Sequence, residues 1–210
     1  MKKKKRLQPI LPPSLEETLL SLEDEATVVD AYVENQQIDD ADFHHLFMKE
    51  CHFKKLQMTA SHLRQFECVN VIFEGCDFSN SDWIGAGFHQ VEFRQCKLTG
   101  TNFAESFLKD CLFVDCMLDY ASFAAATMKV VHFEESSIRQ SDFSELDWQS
   151  LHLSACNLSQ SQWFHTRLKE LDFSQNEFEA IALSAENMRG LIVNAEQALT
   201  IAGTLGLVVK

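Results

Sequence analysis

Every fifth residue from Val33 to Val193 is apolar, thirty-three positions without a skip: thirteen Phe, eight Leu, four Met, three Trp, two Ile, two Val and one Cys. A period of five is neither the 3.6 of an α-helix nor the 2 of a strand. It predicts a short unit stacked many times. Two residues before these centres the chain usually places a small or modest side chain, as at Ala41, Cys76, Ser81, Thr101, Cys116 and Ala121. The other three positions are mostly polar. Two residues in five therefore point inward, one large and one small, and the rest face water or turn the chain.

A five-residue unit cannot bury its own apolar face, so neighbouring units must cover it. Four units per coil give a repeat of twenty. On that period, positions 53, 73, 93, 113 and 133 are all Phe, and positions 76, 96 and 116 are all Cys, with Cys156 two coils further on. Side chains in such register form ladders at the strand spacing of about 4.8 Å.

The units Ala41-Asp42-Phe43, Cys76-Asp77-Phe78, Thr101-Asn102-Phe103, Ser141-Asp142-Phe143 and Cys156-Asn157-Leu158 resemble the pentapeptide repeat family, whose motif is roughly A(D/N)LXX. The resemblance implies an all-β solenoid, a right-handed quadrilateral β-helix of about eight coils, over residues 28–193. Residues 1–27 are expected to form a basic tail and an N-terminal capping helix at about 14–23. The signs are the S-x-x-E box Ser14-Leu15-Glu16-Glu17 and the spacing of Leu15, Leu19 and Leu22. Residues 194–210 are expected to hold a C-terminal helix capped by Asn194 and Gln197, ended by Gly203 and Gly206, with the apolar tail Leu205, Leu207, Val208 and Val209. This ending is similar to that of the quinolone-resistance (Qnr-like) branch, where it builds a two-fold dimer. The resemblance thus implies a homodimer through Ala198, Leu199, Ala202, Leu205 and Leu207; an intramolecular lid is the other reading.

Charge narrows the function. The net charge is −13, and residues 28–193 carry twenty-five acidic against twelve basic side chains. Such acidity argues against direct DNA binding and for a basic partner. Eight coils make a tower of about 40 Å. Its charge per length is then about half that of duplex DNA, which carries one charge per ~1.7 Å. The densest acidic patch expected on adjoining faces is Asp82, Glu105, Asp110, Asp142, Glu145 and Asp147. Phe107, Leu112 and Met117 take positions that are usually polar and outward, with Val114 and Tyr120 nearby, and are expected to form an apolar belt that could dock a partner.

The chemistry of a catalytic site is missing. No glycine-rich phosphate loop, nucleophile elbow or HExxH is present, so no catalytic residue and no cofactor is expected. Six of the seven cysteines occupy the small inward position and no CxxC pair exists, so free thiols that pack the core are expected, and no metal. His132 and His152 would stack on one face, with His52 in the same column, as surface histidines. Lys2–Arg6 reads as a disordered basic tail, with contact to nucleic acid as the alternative. No apolar run reaches the roughly 20 residues of a membrane span, and Leu7–Pro13 is too rich in proline for a signal core, so a cytoplasmic protein is expected.

These readings, with the resemblance, lead to a DNA-mimicking protein. Its expected partner is a type II topoisomerase, DNA gyrase or topoisomerase IV, with protection against fluoroquinolones as a further possibility that the unbroken phase weakens, since no projecting loop can be inserted. A non-catalytic interaction scaffold for another partner is the alternative.

Overall fold

A computed structural model describes residues 5–208. The chain coils into a parallel β-solenoid of about eight turns. Nearly every pairing joins residue i to residue i+20: Phe53 to Phe73, Phe73 to Phe93, Phe93 to Phe113 and Phe113 to Phe133. One ten-stranded parallel sheet runs through the tower, two two-stranded sheets lie beside it, and single bridges at the same spacing fill the remaining faces.

The corners explain why five residues close a face. From Glu25 to Glu170 every fifth residue has positive φ, thirty positions in succession, of which only Gly75, Gly85 and Gly100 are glycine. A left-handed residue costs an L-amino acid roughly 1–2 kcal/mol. The cost is offset because the corner N–H joins the axial ladder: Asn35 donates to the Lys54 carbonyl at 2.9 Å and Asp115 to that of Glu134 at 3.1 Å. The series ends at Glu170, and a 3₁₀ turn at Ala185–Asn187 follows in the last coil.

Inside, the large column stacks as the twenty-residue period requires. Phe93, Phe113 and Phe133 lie ring on ring at 4.8 and 4.7 Å, with planes 4° and 7° apart. Phe103, Phe123 and Phe143 form a second stack at 4.9 and 5.0 Å, edge-on to the first. Burying each such ring contributes about 1.5–3 kcal/mol.

The small inward position has its own logic. Its donor reaches the carbonyl of the centre twenty-three residues earlier: Cys96 to Phe73 at 3.4 Å, Thr101 to Phe78 at 2.9 Å, Ser141 to Leu118 at 2.7 Å. Thiol and hydroxyl are interchangeable there, because both are small and both donate. All seven cysteines are buried and free. Burial pushes the Cys111 thiol up to about 12 and the Cys156 thiol up to about 11.

The expected N-terminal helix does not form. Glu16–Glu17 is a short strand that pairs with Ala31 and Tyr32, five residues short of the usual register. Its N–H groups are satisfied across the first coil, Glu16 donating to the Asp30 carbonyl and Thr18 to that of Tyr32, both at 3.0 Å. The Gln36 side chain brackets Leu20, accepting from its N–H and donating to its carbonyl at 2.8 Å. A solenoid edge presents a row of unpaired backbone groups. An added strand satisfies them, whereas a helix, bonded within itself, could not. Leu19 is exposed, while Leu20 and Leu22 pack on the core.

The C-terminal helix does form, at Ala195–Thr204. Asn194 and Gln197 exchange both bonds of a capping box, at 2.9 and 3.0 Å. Gln197 also donates to the Phe173 and Asn176 carbonyls, at 2.8 and 2.6 Å, which ties the helix to the last coil. Gly206, at φ +83°, ends it in a Schellman motif: its N–H bonds the Gly203 carbonyl, and Leu207 N–H bonds that of Ala202. Gly203 lies inside the helix.

Candidate interaction surfaces

A filled tower places its chemistry on the outside. Among the expected acidic residues, Glu105, Glu145 and Asp147 are exposed, and Asp82 and Asp142 are half-buried. Asp82 accepts from the Asn102 amide at 2.9 Å, one coil on, and Asp142 accepts from Ser144 N–H at 2.8 Å. Asp110 departs from the expected patch. It is 4% exposed, covered by the N-terminal segment, whose Leu7 N–H its carboxylate accepts at 3.1 Å. The face that carries Asp147 also carries Lys109 and Lys129, so the patch is not uniformly acidic.

The charge is concentrated at the two ends of the tower. Residues 16–50 hold eleven acidic side chains against Lys49, and residues 170–196 hold six against Arg189. Residues 51–169 are nearly balanced, with fourteen acidic and ten basic. The picture of one even rod of charge is therefore corrected to two acidic ends joined by a mixed middle.

The apolar belt divides over three faces of one coil. Phe107 pairs in the strand ladder that holds Gly87 and Thr127, Leu112 in that of Glu92 and His132, and Met117 bridges Lys97 and Ser137. Phe107 and Met117 are 41% and 49% exposed, and Tyr120 is more so; Leu112 and Val114 are half-buried. The Lys129 ammonium lies 5.2 Å from the Phe107 ring centre, within cation–π range.

Of the expected dimer residues, Ala198, Leu199, Leu205 and Leu207 are exposed on the helix and tail, and Ala202 is half-buried. Val208 is exposed as well, and Val209 lies outside the described residues. The same helix packs Ile201 against the core, and Leu199, about half a turn round from it, faces outward.

His132 and His152 do stack, edge to face at 5.2 Å. Burial, and then the neighbouring His152, lower the pKa of His132, while Glu134 at 3.4 Å works in the other direction. His52 sits four coils away from His132 and pairs with Glu74 at 3.2 Å. Among the described residues no cluster of three or more His, Cys, Asp or Glu could hold a metal, and no helix is long and apolar enough to cross a membrane.

The feature that sequence reasoning missed is the N-terminal segment. Lys2, Lys3 and Lys4 lie outside the described residues, but Arg6 is no free tail. Its guanidinium meets the buried Glu92 carboxylate at 2.8 Å. Beyond it the chain runs down the tower, held at one corner column by Asp110, Gln90 and Asn70. Glu92 gave a signal in the sequence: it stands in the column of Ile72 and Leu112, and its own coil puts one basic side chain, Arg94, on that face beside it.

Residues 86–163 match the family model described as a pentapeptide repeat region. No curated protein sequence matches the chain. Among solved structures the chain is similar to HetL, a pentapeptide repeat protein involved in heterocyst differentiation regulation from the cyanobacterium Nostoc sp. strain PCC 7120. The two share 15% identity over 75% of this chain and 74% of that one, with a TM-score of 0.51. QnrB1, a plasmid-mediated fluoroquinolone resistance protein, aligns over 90% of this chain and 95% of its own, at 18% identity, but with a TM-score of 0.33. The first likeness speaks for the fold alone, and the second superposes too loosely to place the chain in a branch. Residues 86–163 thus form a pentapeptide repeat region, and the structure carries the same five-residue beat in one register along the tower on either side of it.

Proposed function

We propose that the chain is a non-catalytic interaction protein whose acidic exterior engages the basic DNA-binding groove of a protein partner, with a type II topoisomerase, gyrase or topoisomerase IV, as the partner class. The observation that carries this reading is a solenoid filled with stacked rings, which leaves its surface as the place of function, with exposed carboxylates concentrated at both ends and along the corner of Glu105 and Glu145. Opposed charge of this kind gives fast, salt-sensitive association. Homodimerisation through Leu199, Leu205 and Leu207 belongs to the same proposal, since it would join two towers into one longer acidic body.

A supercoiling assay with purified gyrase, run across a salt series with and without a fluoroquinolone, tests it. Inhibition or drug protection that fades with salt supports the reading. Neither effect, together with no salt-sensitive binding, ends it. Light scattering of the Leu199→Glu variant tests the dimer, which should fall to a monomer.

The exposed Phe107 and Met117 favour a second reading, an interaction scaffold that docks through apolar contact. Partner capture that survives high salt and is lost in Met117→Glu would select it over mimicry.

A further inference from the structure

The N-terminal segment lies on the tower as a ligand lies in a peptide-binding track. Leu7 N–H donates to the Asp110 carboxylate at 3.1 Å, the Gln8 carbonyl accepts from the Gln90 amide at 2.8 Å, and Ile10 N–H donates to the Asn70 side-chain oxygen at 3.3 Å. Asn70, Gln90 and Asp110 are consecutive corners of one column, twenty residues apart. Three residues of extended chain cover about 10 Å, and two coils rise about 9.6 Å. An extended peptide laid along the axis therefore keeps step with this column. The tower reads its backbone, with two acceptors for N–H groups and one donor for a carbonyl.

Only one side chain of the segment is read closely. Arg6, itself nearly buried, meets Glu92, which is also held by Arg94, Nε to carboxylate at 2.8 Å. The side chains of Leu7 and Ile10 turn outward, 54% and 69% exposed. Polar backbone contacts and one ion pair hold the segment here, without a buried apolar anchor. Such a contact is specific in geometry and modest in strength.

We propose that the Asn70–Gln90–Asp110 column with Glu92 is a docking track for an extended, arginine-bearing segment of a protein partner, and that residues 6–10 occupy it in cis as a built-in competitor. This goes beyond the topoisomerase reading and does not depend on it. A tethered segment acts at an effective concentration in the millimolar range. Against a free peptide of about 100 μM affinity, that weakens apparent binding about tenfold.

The test uses the full chain and a fluorescent peptide of residues 5–13, with no topoisomerase present. The Arg6→Glu variant sets two carboxylates against each other and frees the track. It should bind the peptide about tenfold more tightly than the unaltered chain, should ignore a peptide carrying Arg6→Glu, and should lose its binding at high salt. Circular dichroism establishes that the variant keeps its fold. The proposal is overturned if the folded variant binds neither peptide, binds both alike, or binds no better than the unaltered chain. Dimerisation that Arg6→Glu abolishes and Leu199→Glu does not would assign the track to the segment of a second copy, and would overturn the partner reading.

Discussion

Phe113→Ala cuts the aromatic ladder at its middle. Phe113 is fully buried, stacked between Phe93 at 4.8 Å and Phe133 at 4.7 Å, and edge-on to Phe103 and Phe123 at 6.1 and 6.0 Å. A buried Phe→Ala change costs about 3–5 kcal/mol. The site lies at the upper end of that range, because the β-sheet coils on both sides hold their spacing and cannot collapse into the void. Near 5 kcal/mol, and at about 2–4 °C per kcal/mol for a chain of this size, the melting temperature falls by about 10–20 °C. Phe113→Leu, which keeps most of the volume, costs about 1.5 kcal/mol or less. Urea unfolding read by tryptophan fluorescence measures both changes. Trp83 and Trp163 lie in coils on opposite sides of the cut, so single-tryptophan backgrounds add a second reading. In a stack where each coil contacts only its neighbours, the two halves should separate into two transitions in the alanine variant. A loss below about 1.5 kcal/mol, or no difference between Ala and Leu, would refute the claim that stacked rings hold the coils together.

Other expectations follow from the corners, the histidines and the thiols. Ala125 is an exposed corner at φ +55°; Ala125→Gly relieves roughly 1–2 kcal/mol of left-handed strain against about 0.5–1 kcal/mol of glycine entropy, so this usually harmful change should raise stability slightly, and a lowered urea midpoint would contradict it. His132 titrates below its ordinary value because it is partly buried beside His152, so the unfolded chain takes up a proton first, near pH 6.5. Stability is therefore full above that pH and declines as pH falls toward the folded value; thermal melts at pH 7.5 and 5.5 should differ less in His132→Gln, and an unchanged difference would count against the assignment. The buried thiols, with Cys111 pushed up to about 12, should resist alkylation in the native protein and react fully in urea, as counted by mass spectrometry; rapid native labelling would show that the coils open.

The solenoid was legible because its information is local and repeated. Phe53, Phe73, Phe93, Phe113 and Phe133 announce their ladder in the sequence, and the small position announces itself through Cys76, Cys96 and Cys116. The C-terminal cap was legible too, since Asn194 and Gln197 need only each other. The N-terminal end was not. Ser14-Leu15-Glu16-Glu17 fits a helix start, but its fate is decided by the open edge of the first coil, which accepts a strand. Asp110 and Glu92 look like surface carboxylates for the same reason: what covers them lies about a hundred residues earlier, and no period connects the two.

The twenty-residue register bears on how the chain folds. Parallel sheets ordinarily require long crossovers and fold slowly, because distant segments must meet before any contact is rewarded. Here each strand finds its partner one coil away, and the mean separation divided by chain length is about 0.1, a value typical of helical bundles. Any coil pair can act as the seed, and growth proceeds by adding twenty residues at a time. The N-terminal segment stands outside this scheme, with contacts 60 to 103 residues apart. It can dock only after the coils beneath it exist, which makes it the last piece to arrive and the first that can leave without disturbing the rest.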